Sequence, residues 1–533
     1  MNISGYSLVG YTTLSSQEGA AFRAVNPATG AELEPAFYSA TAADVERAAN
    51  LAAQAFETYR ALDGRARAAF LRRIADGLMA AQDELTERTG LEAALPPARV
   101  ATELTRTAFQ MRLFAGMLEE GSWVNAYIEH GNPNRTPLPK PDLRSLLRPI
   151  GPVAVFGASN FPLAYSVAGG DTASALASGC PVIVKAHAAH PGTSAIVGRI
   201  VLEAARECGM PDGVFSLLFD DGFEIGLELV KHPNVKAVGF TGSRRGGRAL
   251  MDAARARPEP IPVYAEMSSI NPLFILPGAL EHSAALAQGL SASITQGMGQ
   301  FCTKPGLVLL PQSEEGEAFL ADLTQRLSGT AAGTLLTLGI HAAYGGGVGD
   351  LLAAQGVDAR VLPPQNEEQP ESGGATAHPA LFVTTAQHLL DNHALMNEVF
   401  GPAALVVRYR DDAELQRVAR ILEGQLTCSL HGTDAEFASQ TDLIAILASK
   451  AGRVVFNGFP TGVEVGTAIV HGGPYPSTSD GQSTSVGNRA ILRFVRPVCY
   501  QNAPEAVLPP ELQESNPLNI RRLVDGEWVV LSA

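Results

Sequence analysis

Cysteine is scarce in this sequence, and its five cysteines form no Cys-x-x-Cys pair. An odd count without such pairs speaks against a disulfide framework and favours a reducing compartment, so we expect a cytoplasmic protein. Basic residues are also outnumbered, because 39 lysines and arginines face 54 acidic residues and give a net charge of −15. No basic run offsets that charge, so a nucleic-acid partner is not expected.

Long uncharged runs are rare as well. The N-terminal residues lack the basic segment and apolar core of a secretory signal. Residues 151–170 carry no charge, but Pro152, Ser159, Asn160 and Pro162 interrupt them, and this pattern indicates a buried strand, a loop and a helix start. We therefore expect neither a membrane span nor a membrane partner, and no residue spacing predicts a metal site.

What the sequence does contain, from Val153 onward, is a regular alternation of short β-rich runs and helical stretches. The runs are PVAVFG, PVIVKA, GVFSLL, VKAVGF and IPVYAE, and the first two intervening helices are expected over 163–178 and 193–208. This order predicts an α/β fold with a doubly wound parallel sheet. Since ligands of such sheets bind at the carboxyl ends of the strands, the residues that follow each run should line one crevice.

Seven short motifs add a family resemblance. They are NPATG (26–30), GASNFPL (157–163), PVIVKAH (181–187), FTGS (240–243), AEMSSINP (265–272), GQFCT (299–303) and EVFGP (398–402). In these motifs and their order, the sequence resembles the aldehyde dehydrogenase superfamily. The resemblance implies NAD(P)-dependent oxidation of an aldehyde to a carboxylic acid.

The resemblance also suggests how the chain is divided. A nicotinamide cofactor-binding domain is expected over 1–130 and 151–266, and a second α/β, catalytic domain over 267–475. Residues 131–150 and 476–505 would form a small β oligomerisation element, and 506–533 a C-terminal extension. We expect a homodimer or homotetramer, because an isolated two-stranded ribbon would leave exposed strand edges.

Three residues would carry the chemistry. Cys302 is the expected nucleophile, because a thiolate attacks aldehydes and forms a thioester that water can cleave. Glu266, directly after a buried strand, would be the general base if burial raises its pKa towards neutrality. Asn160 would donate a hydrogen bond to the oxyanion, although it could instead cap the following helix.

Further residues are expected to hold the cofactor. Lys185 would bind the adenosine ribose or its phosphate, and Glu398 the nicotinamide-side ribose. The other candidates lie after strands or at helix starts, namely His187, Gly222, Gly226, Thr241, Gly242, Ser243 and Phe400. NAD-preferring relatives carry a glutamate where this sequence has Ala188, so NADP is expected, with NAD possible.

The substrate is expected from a narrower resemblance. KAHAAHPGTS and HGGPYPSTSDGQSTSVG (471–487) are similar to a subgroup with bacterial 2,5-dioxopentanoate dehydrogenases and an NADP-linked fatty-aldehyde dehydrogenase. Arg106 and Gln110 share a helix face and could bind a distal carboxylate, whereas Phe459 would suit an apolar aldehyde. Two alternatives stay open: an acylating enzyme that uses coenzyme A, and a catalytically silent scaffold. Retention of Glu266 argues against the first, because a base that activates water would be superfluous there, and retention of Cys302, Glu266 and Asn160 argues against the second.

Overall fold

The computed structural model describes residues 3–363 and 373–529. Its first sheet has seven strands, and the five central ones are parallel and built from apolar, largely buried runs. In spatial order the strands are Val263–Glu266, Ala237–Thr241, Val153–Phe156, Val182–Lys185, Phe215–Leu218, Leu8–Val9 and Thr12–Thr13. The strand order reverses between Val153–Phe156 and Ala237–Thr241, so the crevice expected of a doubly wound sheet opens there.

Helices cover this sheet on both faces and bury two separate apolar clusters against it. They are Ala42–Tyr59, Gly64–Ala80, Gln82–Ala93, Pro97–Glu120, Gly170–Ser178, Pro191–Glu207, Glu224–Lys231 and Arg244–Arg255. The predicted helix over 163–178 is wrong in its first half, because the helix begins at Gly170. Glu103 accepts hydrogen bonds from the backbone N–H groups of Leu163 and Ala164 at 2.8 and 2.9 Å, which holds that segment as a turn.

A second seven-stranded sheet follows, again flanked by two apolar clusters. Its strands in spatial order are Asp358–Val361, Ala380–Thr385, Ala403–Tyr409, Leu307–Pro311, Leu273–Ile275, Gln425–His431 and Ala451–Phe456, and only the first is antiparallel. Its helices are Ser283–Thr295, Glu314–Ser328, Leu338–Ala353, Ala386–Asp391, Asp412–Ile421, Asp434–Ser439 and Thr441–Lys450. The predicted α/β class with two parallel sheets is confirmed.

The third sheet is larger than the two-stranded ribbon that the sequence suggested. Its strands in spatial order are Val495–Gln501, Leu143–Pro149, Tyr127–Glu129, Arg522–Val524 and Glu527–Val529. The C-terminal extension supplies the last two, so only two of the five strands are edges. Within the β element expected over 476–505, one stretch forms a 3₁₀ helix, Asn488–Phe494, instead of a strand.

Two short antiparallel strand pairs lie outside these three sheets. Ala21–Val25 pairs with Glu32–Tyr38, and Gly333–Thr334 pairs with Thr376–Ala377. Within residues 3–363 and 373–529, no helix combines the length and the apolar character needed to cross a membrane.

Candidate active site

Cys302 lies in a loop that two features hold in place. Before it, the turn Gln296–Gly299 contains three consecutive residues with positive φ, and a Cβ on Gly299 would lie only 2.2 Å from the carbonyl oxygen of Gly401. After it, Nδ2 of Asn271 donates hydrogen bonds to the carbonyl oxygens of Cys302 and Lys304 at 2.8 and 3.1 Å. The loop leaves the Cys302 side chain half-buried, with its thiol turned towards Glu266 and His471.

Glu266 ends the strand Val263–Glu266 at the carboxyl edge of the first sheet and is only 4% exposed. Its Oε2 accepts a hydrogen bond from Oγ of Ser485 at 2.9 Å, and its Oε1 lies 3.0 Å from Nε2 of His471. Burial raises the pKa of Glu266, but the nearby His471 and Ser485 outweigh it and hold the pKa below its usual value. The expectation that burial would raise this pKa towards neutrality is therefore wrong.

His471 is a candidate functional residue that sequence reasoning missed. It is buried, and its Nε2 lies 3.5 Å from Sγ of Cys302 and 3.0 Å from Oε1 of Glu266. Its backbone N–H donates to Oγ1 of Thr484 at 2.9 Å, which fixes the start of the segment. The segment 471–487, which begins with this histidine, indicated a subgroup, but no side chain in it was predicted to act in catalysis.

The Cys302 thiol is protonated in this arrangement. Burial raises the pKa of Cys302, the Glu266 carboxylate raises it further, and Arg106 lowers it only in part, so the pKa lies well above its usual value. A thiol in that state needs a base within reach before it can attack an aldehyde. His471 and Glu266 are both within reach.

Asn160 lies beside the Cys302 loop. Its Nδ2 donates a hydrogen bond to the carbonyl oxygen of Gln300 at 3.1 Å, two residues before the cysteine. The alternative that Asn160 caps the following helix is wrong, because that helix begins at Gly170 after Gly169. The amide is therefore near the nucleophile and available for the oxyanion role.

Ser269 holds the segment after Glu266 in place through its hydrogen bonds. Oγ of Ser269 donates to Oε1 of Gln425 at 2.9 Å and contacts Oδ1 of Asn271 at the same distance. The backbone N–H of Ile270 also donates to Oε1 of Gln425, at 2.9 Å. Asn271 supports Cys302, so these buried hydrogen bonds connect the segment after Glu266 with the loop that carries Cys302.

Lys185 and His187 follow the strand Val182–Lys185 at the expected crevice. Nζ of Lys185 donates to the carbonyl oxygen of Asp220 at 2.7 Å, and burial lowers the pKa of Lys185. Burial also lowers the pKa of His187, to about 3, so this imidazole is neutral. It stacks on His190 with ring centroids 5.4 Å apart, and its Nδ1 accepts a hydrogen bond from the N–H of Ala189.

Gly222 and Gly226 do not together open a helix, as the sequence had suggested. The helix begins at Glu224, because the N–H of Gly222 donates to Oδ1 of Asp220 at 3.0 Å and holds a turn. Gly226 lies in the first helical turn, where an added Cβ would come 2.9 Å from the Phe156 ring. Its lack of a side chain lets the helix approach the end of the central strand closely.

Thr241, Gly242 and Ser243 close the neighbouring strand at the same crevice. The N–H of Gly242 donates to the carbonyl oxygen of Glu266 at 3.0 Å. Ser243 caps the helix Arg244–Arg255, because its Oγ accepts the N–H of Gly246 at 3.1 Å. A backbone hydrogen bond thus joins the carboxyl ends of two adjacent strands at Glu266, the candidate general base.

Glu398 and Phe400 are half-buried and belong to the second sheet's side of the crevice. Burial raises the pKa of Glu398, and the same burial lowers the pKa of Lys304 beside it. Nζ of Lys304 donates to the carbonyl oxygens of Val399 and Ala403 at 3.1 and 2.7 Å. Lys304, which sequence reasoning also missed, therefore connects the Cys302 loop to the segment that carries Glu398.

The candidate substrate residues divide into two groups. Nη2 of Arg106 donates to the Tyr165 hydroxyl at 3.1 Å, and Arg106 and Gln110 line one small cavity with Tyr165. The Tyr165 ring lies 6.0 Å from the His471 ring, so this cavity adjoins the nucleophile. The Phe459 ring instead lies 5.1 Å from the His431 ring, beside the helix Ser283–Thr295. Phe459 is not one of the described residues that line the cavity.

Arg453 is a second arginine near this cavity. Its Nη2 donates to the carbonyl oxygens of Pro460 and Gly462 at 2.6 and 3.1 Å. Burial lowers the pKa of Arg453. Both Arg453 and Arg106 lie close enough to Cys302 and Tyr165 to stabilise a negative charge that forms on either group.

The sequence profile of the aldehyde dehydrogenase family matches residues 13–492. The chain is 51% identical over 529 residues to alpha-ketoglutaric semialdehyde dehydrogenase 2 of Azospirillum brasilense, covering 99% of this chain and 100% of that relative. It is 44% identical over 492 residues to the alpha-ketoglutaric semialdehyde dehydrogenase of Acinetobacter baylyi, covering 92% of each. Among solved structures, gamma-glutamyl-gamma-aminobutyraldehyde dehydrogenase from Burkholderia cenocepacia superposes with a TM-score of 0.80 at 23% identity, covering 94% of this chain and 97% of that one, which shows a shared fold.

Proposed function

This chain belongs to the aldehyde dehydrogenase family, and we propose that it oxidises 2,5-dioxopentanoate to 2-oxoglutarate with NADP as its preferred cofactor. The observation that carries the chemistry is the cluster of Cys302, His471 and Glu266, whose reactive atoms lie within 4.8 Å of one another. The substrate is inferred from the two relatives that carry its name and from the arginines beside the thiol.

The first chemical step is attack of Cys302 on the aldehyde carbon. Nε2 of His471, 3.5 Å from Sγ, takes the thiol proton as the carbon–sulfur bond forms and the carbonyl electron pair moves to oxygen. Nδ2 of Asn160 turns from the carbonyl of Gln300 to that oxygen, and the backbone N–H of Cys302 is the second donor. Each donor of this kind stabilises the developing charge by about 3 kcal/mol.

A bound nicotinamide ring would supply the hydride acceptor that converts the adduct into a thioester. The crevice fits such a cofactor, because Lys185 presents a buried ammonium there. Gly226 and Gly242 pack against the Phe156 and Phe240 rings at the same strand ends, where an added Cβ would come too close. Glu398 would hold a ribose hydroxyl from the opposite side. Water then attacks the thioester carbon, Glu266 receives the water proton with His471 beside it, and the thiolate leaves.

NADP preference rests on Ala188, which stands where NAD-preferring relatives carry a glutamate three residues after the lysine. A carboxylate at that place would bind the ribose 2′-hydroxyl and repel a 2′-phosphate. The nearest acid, Asp220, already accepts the N–H of Gly222 and lies 3.9 Å from Nζ of Lys185. Lys185 is the cation at the position where a phosphate would bind, and Asp220 offsets part of its charge.

A distal carboxylate on the substrate is favoured by the charges around the cavity. Arg106 is held by the Tyr165 hydroxyl, a neutral partner, so its guanidinium can still accept an anionic ligand. Gln110 is buried in the same cavity, and its Nε2 has no hydrogen-bond partner among the described residues. A fatty aldehyde would leave these donors unsatisfied, at a cost of about 1–3 kcal/mol each.

A substrate comparison tests the proposal. We expect wild-type kcat/KM to be higher for 2,5-dioxopentanoate than for hexanal or longer aldehydes, without coenzyme A. Loss of a charge-assisted bond in Arg106→Ala should lower kcat/KM for 2,5-dioxopentanoate about 10- to 100-fold and leave hexanal nearly unchanged. Arg112→Ala is the matched control, because Arg112 is on the same helix but pairs with Asp76 at the surface.

Two results would contradict this assignment. A higher kcat/KM for hexanal, unchanged in rank by Arg106→Ala, would favour the fatty-aldehyde alternative. Turnover that requires coenzyme A would favour the acylating alternative. Cys302→Ala should abolish NAD(P)H formation with every aldehyde, and turnover in that variant would refute the thioester mechanism itself.

A further inference from the structure

The three reactive side chains of the active site also form a set of metal ligands. Sγ of Cys302, Nε2 of His471 and a carboxylate oxygen of Glu266 all lie within 4.8 Å of one another. A thiolate, an imidazole and a carboxylate are the ligand types that zinc accepts in tetrahedral sites. We propose that Zn²⁺ binds these three side chains, with water as the fourth ligand, and reversibly inhibits the enzyme.

The two distances from His471 are close to those of tetrahedral coordination. Zinc binds nitrogen and oxygen at about 2.0–2.2 Å and sulfur at about 2.3 Å, so neighbouring ligand atoms of a tetrahedron lie roughly 3.3–3.6 Å apart. Nε2 of His471 lies 3.5 Å from Sγ of Cys302 and 3.0 Å from Oε1 of Glu266. Shifts of a few tenths of an ångström therefore bring the histidine and its two partners into range.

The surroundings of the cluster also favour a metal ligand. Oε1 of Glu266 is buried and makes no hydrogen bond of good geometry with any described residue, which is costly for a carboxylate oxygen. Its other oxygen is oriented by Ser485, and the backbone of His471 is fixed by Thr484. Such supporting hydrogen bonds orient ligands and typically affect metal affinity 10- to 100-fold.

Zinc binding would be incompatible with catalysis. Coordination replaces the S–H bond of Cys302 by a bond from thiolate to metal, and the displaced proton goes to the solvent. The sulfur lone pair that attacks the aldehyde is then engaged, and the imidazole that accepts the thiol proton is engaged as well. Removal of the metal by a chelator restores both groups, so inhibition is reversible and independent of which aldehyde is oxidised.

The test uses the full-length enzyme without substrate. We expect one Zn²⁺ per chain by competition with a chromophoric chelator, and Co²⁺ in its place should give a thiolate-to-cobalt charge-transfer band. Cys302→Ser should abolish that band, and His471→Gln should weaken Zn²⁺ binding at least about tenfold. Bound Zn²⁺ should also protect Cys302 of the wild-type enzyme from alkylation by iodoacetamide, a result that needs no variant to fold.

Matched controls exclude other thiols and imidazoles. Cys499 is an exposed cysteine, and His130 contacts Asp525 and Glu514 at the surface, so Cys499→Ser and His130→Gln should bind Zn²⁺ like the wild type. The proposal is overturned if Zn²⁺ binding survives unchanged in both Cys302→Ser and His471→Gln, or if Zn²⁺ gives no protection from alkylation. Neither result would affect the proposed oxidation, which is measured separately in chelator-treated enzyme.

Discussion

Replacing Glu266 by glutamine should make Cys302 more reactive towards an alkylating agent, although the same change removes the base needed for turnover. Burial and the Glu266 carboxylate together raise the pKa of the thiol, and Glu266→Gln removes the second cause while keeping the side chain's size. The thiol pKa then falls, and the thiolate fraction at neutral pH rises. Since only the thiolate is alkylated, the rate rises with it.

The size of the effect follows from the distance. The reactive atoms of Cys302 and Glu266 lie within 4.8 Å of each other, and two unit charges at that separation interact by about 3.5 kcal/mol at an effective dielectric constant near 20. His471 lies next to both groups and screens part of that repulsion, so Glu266→Gln removes only part of this energy and lowers the pKa of Cys302 accordingly. Thiolate nucleophilicity decreases as its pKa falls, with a coefficient of about 0.4–0.5, which leaves a net acceleration of about 3- to 10-fold.

The assay is the second-order rate of iodoacetamide alkylation of Cys302 as a function of pH, with modification located by peptide mass. The alkylation rate should rise with pH in both proteins, and the rise should occur at a lower pH in Glu266→Gln than in the wild type. Glu259→Gln is the control, because that glutamate is 70% exposed and pairs with Lys236. An equal or slower rate in Glu266→Gln than in the wild type at pH 7 would refute this account of the thiol's protonation.

Three further predictions concern turnover, cofactor choice and assembly. Glu266→Gln should release a burst of about one equivalent of reduced cofactor per site and then stall as the thioester, and unchanged steady-state turnover at neutral pH would exclude the base role. Ala188→Glu should lower the ratio of kcat/KM for NADP to that for NAD at least about tenfold by charge repulsion, with Ala188→Gln as uncharged control, and a wild type that is tenfold better with NAD would contradict it. Light scattering should give a dimer or tetramer, because Val495–Gln501 is an edge strand of the third sheet, and a stable monomer at micromolar concentration would contradict pairing through that edge.

The sheet framework could be predicted because its signals are local. Apolar runs such as PVAVFG can be recognised without knowing their partners, and each places the residue after it at the carboxyl edge of a sheet. Glu266 follows from that rule alone, as the last residue of its strand. The pKa of Glu266 cannot be predicted in this way, because the groups that lower it, His471 and Ser485, come from a segment about 200 positions later.

The predicted helix over 163–178 failed for a similar reason. Residues 163–169 have helical composition, but Glu103, on a distant helix, accepts two of their backbone N–H groups and stabilises a turn. His471 was missed because the segment 471–487 served only to indicate a subgroup, and nothing local marks a histidine in it as a neighbour of Cys302. Its contact with Cys302 spans 169 positions and follows only from the fold.

The contact between Gly299 and Gly401 has a consequence for how this enzyme can be altered. A Cβ on Gly299 would lie 2.2 Å from the carbonyl oxygen of Gly401, and Lys304 ties the same two segments together two residues beyond the cysteine. Because the two segments are in direct contact, we expect a shift of the Cys302 loop to move the segment that contains Gly401 as well. Directed evolution that randomises residues 297–301 alone would displace Glu398 along with the nucleophile, and productive libraries must vary residues 398–402 at the same time.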